Sequence, residues 1–199
     1  MILWQKNYKF DSTLVDDLMF KLINDKRSFD INNKYHTSYF LSSGDKPENI
    51  LHRKYKKICT KVSKDLGLHH RASLTFATWM QVYTNKSKLF APHDHFSGNE
   101  LLSWVHFLKE PGEQCFCFLD SEGNKTYPQV ESGDLIVFPS WVWHEASPPK
   151  SEGYRMIIAG NIHASVMFIK DKSKNQSPKM IYDKFENEHG GTWRFSNGL

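Results

Sequence analysis

The chain has 199 residues and a formal net charge of +4, with 39% hydrophobic and 14% aromatic residues. That length suits one domain with its own core, and the composition excludes a disordered chain. No run approaches the ~18 apolar residues of a membrane span, and the opening MILWQKNYKF has no charged segment followed by an apolar one, so no signal peptide or membrane partner is expected and the compartment is read as cytoplasmic.

Residues 12–25 predict a helix: Leu14, Leu18 and Leu22 fall on one stripe, with Asp16 and Asp17 early, where the helix dipole favours acids. His36–Ser42 reads as a short strand. Residues 48–66 predict a second helix, with Leu51, Tyr55, Ile58, Val62 and Leu66 at helical spacing and Gly67 as its stop. Arg53, Lys54, Lys56, Lys57, Lys61 and Lys64 form its solvated face. Basic and aromatic residues interleave on no strand, so a nucleic-acid partner is not expected. After residue 70 the pattern changes to alternation and short apolar runs. Leu74–Tyr83, Leu101–Lys109, Gln114–Asp120, Asp134–Phe138 and Tyr154–His163 predict strands. Lys109-Glu110-Pro111-Gly112, Ser121-Glu122-Gly123-Asn124, Ser132-Gly133-Asp134 and Ser147-Pro148-Pro149 supply the turns.

The expected fold is mainly β with N-terminal helices (α+β), a sandwich or barrel. The expected organisation is a single domain over 1–199: helical support to residue 70, a β core over 71–165 and an extension over 166–199. Cys59, Cys115 and Cys117 are too few and too odd in number for a disulfide framework. Cys115 and Cys117, spaced i, i+2, are expected on one strand face as small core residues rather than zinc ligands.

Two segments carry chemistry. Pro92-His93-Asp94-His95 precedes the strand at Leu101. Ser132-Gly133-Asp134-Leu135-Ile136-Val137-Phe138-Pro139-Ser140-Trp141-Val142-Trp143-His144 is followed eleven residues later by Arg155. In extended backbone His93 and His95 point to one side and Asp94 to the other, so the two imidazoles can face one metal, with His144 as a third ligand from a remote strand end. Such a set with open positions suits non-haem iron(II). Four other histidines, His52, His69, His70 and His189, read as ordinary packed or surface residues. An arginine among Tyr154, Met156, Ile157 and Ile158 needs a counter-ion, either a bound anion or a protein carboxylate.

The stretch from Trp79 to Asn161 resembles the 2-oxoglutarate/Fe(II)-dependent oxygenase superfamily, close to oxygenases of marine bacteria and their phages and to prolyl-hydroxylase-like members. The likeness rests on Trp79 with Tyr83, Pro92-His93-Asp94-His95, Ser103 with Phe107-Leu108, Gly133-Asp134-Leu135 with Phe138-Pro139-Ser140-Trp141-Val142-Trp143-His144, and Arg155 with Asn161. It implies a double-stranded β-helix, a jelly roll or cupin-like barrel, with Fe(II) and 2-oxoglutarate as cofactors and ascorbate as assay reductant. The implied reaction is hydroxylation of a small-molecule or peptide substrate, with succinate and CO2 as coproducts. The superfamily's usual triad is His-x-Asp/Glu plus a distal His; here His95 stands in the carboxylate's place. The expected metal ligands are His93, His95 and His144, with Asp94 as the alternative carboxylate ligand through a bulge. Arg155 is expected to hold the co-substrate's far carboxylate, because a guanidinium pairs bidentately with one, aided by Tyr83, Ser103 and Asn161.

Two rival readings stand beside this one. His93-x-His95-x4-Glu100 and Gly133-x5-Pro139-x4-His144 resemble cupin motifs, in which Glu100 would supply the carboxylate of an enzyme or sensor needing no 2-oxoglutarate. The other rival is a non-enzymatic metal-binding module.

Overall fold

The computed structural model describes residues 1–68, 74–97, 99–164 and 193–195. The elements are β1 (Trp4–Asn7), α1 (Ser12–Asn24), β2 (Phe29–Asp30), β3 (Tyr35–Thr37), α2 (His52–Asp65), β4 (Leu74–Tyr83), β5 (Phe90–His93), β6 (Glu100–Lys109), β7 (Phe116–Leu119), β8 (Lys125–Thr126), β9 (Asp134–Pro139), β10 (His144–Ala146), β11 (Arg155–Ala164) and β12 (Trp193–Phe195), with 3-10 turns at Lys26–Ser28 and Pro47–Leu51. The large sheet runs β1-β9-β6-β11-β4-β3-β2, with β12 also on β4, and a small sheet runs β5-β10-β7-β8. Every pairing among the described strands is antiparallel. This is the two-sheet jelly roll that the resemblance implies, with helices added on one face.

Alternation along the long strands builds three layers. Met80, Val82, Trp104, Leu135, Val137, Met156 and Ile158 turn outward and bury the helical stripes of Val15, Leu18, Leu22, Tyr55, Ile58 and Val62. Their neighbours Trp79, Tyr83, Val105, Phe107, Ile136, Phe138, Ile157 and Ala159 turn inward and meet Phe116 and Phe118 of the small sheet. Both faces of the large sheet are therefore covered, which explains why β9 is buried at every residue. No described helix is long and apolar enough to cross a membrane.

Several elements depart from expectation. Helix α1 is capped by Asp11, whose carboxylate accepts from the Leu14 N–H at 3.2 Å. Asp16 and Asp17 lie beyond the first turn; Asp16 pairs instead with Lys109 at 3.0 Å. The strand expected over His36–Ser42 ends at Thr37: the Ser38 N–H still donates to the Met80 carbonyl, but the Met80 N–H donates to the Ser38 hydroxyl at 2.8 Å instead of to its carbonyl, and that hydroxyl in turn donates to buried Glu48 at 2.5 Å. The support region contributes strands as well as helices: β1 pairs with β9, while β2 and β3 extend the sheet beyond β4. Cys115 precedes β7, so it does not share a strand face with Cys117; all three cysteines are buried free thiols. Gly67 takes a φ of +71° after α2, as its role of stop requires. Apart from β12, the extension over 166–199 lies outside the described residues, as do His69, His70 and His189.

Gly160 is required by space. A Cβ there would lie 2.2 Å from the Ala77 carbonyl oxygen and 2.5 Å from the Trp104 ring. Gly160→Ala should cost at least ~1–3 kcal/mol, read as a lowered midpoint in denaturant unfolding.

His106 is fully buried on the helical side. Its Nδ1 accepts from the Tyr55 hydroxyl at 2.8 Å and its Nε2–H donates to the Tyr8 carbonyl at 3.0 Å, which requires the neutral ring. Burial pushes its pKa down to about 4, against smaller raising effects from the backbone at Tyr8 and Gly133. A depressed histidine pKa means the unfolded chain binds more protons, so this contribution is complete above about 6.5 and lost as pH falls toward 4. The thermal midpoint should therefore fall over that window, and less so in His106→Gln.

Candidate functional site

Three imidazoles converge at one end of the space between the sheets. His93 closes β5, His95 follows it, and His144 opens β10. His93 and His144 are register partners across the β5–β10 pair, and the His95 N–H donates to the Ser140 carbonyl at 2.9 Å, fastening its loop to the turn before β10. The ring centroids stand 4.3 Å (His93–His144), 5.0 Å (His93–His95) and 5.1 Å (His95–His144) apart. One nitrogen from each lies within 4.8 Å of the others, and these three form the only such group of His, Cys, Asp or Glu among the described residues.

The donor set fits a divalent transition metal. The Nδ1–H of His93 donates to the Ala91 carbonyl at 2.8 Å and that of His144 to the Val142 carbonyl at 2.9 Å. Both Nε2 lone pairs are thereby left to face an ion. Burial lowers the His93 pKa, takes His95 to about 4 with help from His93 and His163, and takes His144 to about 3 with help from His93. All three are then neutral near pH 7, as ligation requires. Phe90, Phe138, Phe116 and Trp79 pack against the imidazoles, with centroid separations of 4.6 to 5.6 Å.

The other expected residues sort as follows. The Asp94 carboxylate accepts from the Phe96 N–H at 3.0 Å, outside the imidazole group. Glu100, the acid of the cupin reading, accepts from the Ser97 hydroxyl at 2.7 Å and faces His163 at 3.6 Å, so nothing supports that alternative. Tyr83 and Ser103 line the cavity of about 350 Å³ that contains the imidazoles, together with Gln81, Ile157 and Ala159. The Tyr83 hydroxyl donates to Gln81 at 2.9 Å, and the Ser103 hydroxyl donates to Asn161 at 2.9 Å.

Arg155 lies on the inner face of β11, wholly buried, with its guanidinium carbon 5.4 Å from the Tyr83 ring centroid and 5.7 Å from that of Phe107. Its Nε donates to Glu110 at 2.9 Å in a pair whose side chains are 0% and 2% exposed. Nη1 and Nη2 make no hydrogen bond. The guanidinium thus has a protein carboxylate on one edge and an unused fork on the other.

Glu110 was invisible to sequence reasoning because Lys109-Glu110-Pro111-Gly112 looks like a solvated turn. Its one signal was the need of Arg155 for a counter-ion. Tyr39 and Phe40, which line the cavity while each remaining 63% exposed, were also missed.

Residues 69–161 match the family described as "Putative 2OG-Fe(II) oxygenase". No curated protein matches the chain. Among solved structures, a Pseudomonas putida prolyl-4-hydroxylase is 14% identical, with 80% of this chain and 91% of that one covered and a TM-score of 0.56. The viral collagen prolyl hydroxylase of Paramecium Bursaria Chlorella virus-1, in its 2OG complex, is 16% identical over 82% and 96% of the two chains, with a TM-score of 0.56. A non-heme alpha ketoglutarate dependent carbocyclase from nogalamycin biosynthesis is 16% identical over 77% and 76%, with a TM-score of 0.57. At such identities the structural likeness is one of fold, the double-stranded β-helix.

Proposed function

We propose that this chain, whose residues 69–161 match the 2OG-Fe(II) oxygenases, is an Fe(II)- and 2-oxoglutarate-dependent dioxygenase that hydroxylates its substrate. The observation that carries the reading is the pairing of three converging imidazoles with a fully buried arginine on the inner face of the large sheet, whose Nη1 and Nη2 make no hydrogen bond. His93, His95 and His144 would hold the metal and leave positions open for co-substrate and dioxygen. Arg155 would take the far carboxylate of 2-oxoglutarate, with Tyr83, Ser103 and Asn161 fixing its path. Bound iron would supply dioxygen activation coupled to oxidative decarboxylation, giving succinate and CO2.

The protein's own part is placement and exclusion. Carbonyls at Ala91 and Val142 hold two rings in the ligating tautomer, and Phe90, Phe116 and Phe138 set an apolar shell against them that would limit stray water at the centre. At the mouth, exposed Phe40 packs edge-on to Tyr39 at 5.6 Å, and Tyr39 edge-on to Trp79 at 5.7 Å. An aromatic wall of this kind suits an apolar ring or a peptide side chain, and the prolyl hydroxylases among the structural neighbours make a prolyl peptide the first substrate to test.

Anaerobic titration of the iron-loaded protein with 2-oxoglutarate tests the reading. A visible charge-transfer band is expected, followed in air by succinate formation in the presence of ascorbate; loss of both band and succinate would sink it. The third ligand is tested separately. His95→Ala should lose metal affinity by roughly 10- to 100-fold or more, while Asp94→Ala retains it. The reverse pattern in a competitive metal titration would make Asp94 the ligand.

A further inference from the structure

Glu110 and Arg155 form a buried ion pair with three loose ends. Besides Nη1 and Nη2 of Arg155, the Oε1 of Glu110 makes no hydrogen bond. Glu110 is held at the end of β6 by its backbone N–H, which donates to the Ser132 hydroxyl at 2.9 Å. The pair is electrically balanced as it stands. A second carboxylate on the free fork of Arg155 would leave two anions around one cation in a space closed to water, an imbalance that low-dielectric surroundings penalise heavily.

We propose that Glu110 is a proton-linked gate on the co-substrate site: when a dicarboxylate takes the Nη1/Nη2 edge of Arg155, Glu110 takes up one proton from solvent. This rests on the reading of Arg155 as the anchor for 2-oxoglutarate. The balance is one bound carboxylate and one proton in, with Arg155 charged throughout and Glu110 passing from carboxylate to carboxylic acid. The new O–H also provides a donor where the buried acid now has only acceptor atoms.

The surroundings favour Glu110 as the group that titrates. Burial already raises its pKa, against the lowering effect of Arg155. The other groups facing the pair are Tyr83 on β4 and Cys115 and Glu113 on the loop before β7. Burial drives the Tyr83 phenol well upward and the Cys115 thiol up to about 11, so both stay neutral. The Ser151 contact holds half-buried Glu113 below the usual range.

Calorimetric titration of the anaerobic Fe(II)-loaded protein with 2-oxoglutarate, in buffers of different ionisation enthalpy, reads the proton directly. Uptake approaching one proton per ligand is expected, with affinity weakening by up to about tenfold per pH unit as pH rises through the titration window. Oxalate, which spends both of its carboxylates on chelation and has none left to offer Arg155, should bind without that uptake. Glu110→Gln should bind 2-oxoglutarate with a flat pH profile. The wild-type proton count stands even if this variant folds poorly. Pronounced 2-oxoglutarate binding without proton uptake overturns the gate while the oxygenase reading survives. Failure of 2-oxoglutarate to bind wild-type protein at any pH overturns both.

Discussion

Replacing His144 with alanine is expected to abolish stoichiometric metal binding and activity together. His144 is the histidine contributed from outside the His93–His95 segment, and it faces His93 directly across the β5–β10 pair with centroids 4.3 Å apart. Its loss leaves two imidazoles from one short stretch, which cannot close a facial set. The fold should tolerate the change: His144 makes one side-chain hydrogen bond, to the carbonyl of Val142 two residues before it. Metal content after desalting and a far-ultraviolet spectrum would separate a lost ligand from a lost fold. A variant that keeps one metal per chain removes His144 from the centre.

Arg155→Lys is expected to raise the 2-oxoglutarate requirement by roughly 10- to 100-fold, with metal content unchanged, because an ammonium keeps the charge and loses the fork. Arg155→Ala goes further, stranding Glu110 as a buried carboxylate without its partner. Removing one member of a buried pair costs about 3–5 kcal/mol, so this variant should lose thermal stability as well as co-substrate affinity. A Lys variant whose saturation curve matches wild type would take Arg155 out of the binding site.

The contrast between these residues shows what sequence patterning can reveal. His93, His95 and His144 were legible because they stand in segments whose local geometry is strongly constrained: an i, i+2 pair, and a strand opened by Gly133 at φ +96°. A side chain at residue 133 would strike Lys9 and Asn7, each within 3.0 Å of the added atom. The long strands β4, β6, β9 and β11 were legible because two buried faces demand near-continuous apolar runs. Short β1, β2, β5, β8 and β10 were not, since two to four residues carry no periodicity and their existence depends on partners distant in sequence. Pro92 further disguises β5, an edge strand of the small sheet where a missing N–H is tolerated. Glu110 was hidden for the complementary reason: a turn residue's destination is set by the fold around it, here by an arginine 45 positions later.

The His93–His144 register has a consequence for how the centre is loaded. Two of its three nitrogens are brought face to face by backbone pairing between β5 and β10, the same pairing that completes the small sheet. The cage is thus a product of chain zippering and does not wait for an ion to gather it. Stripping the ion should leave a folded shell that refills on demand, so exchange between one transition metal and another should be reversible.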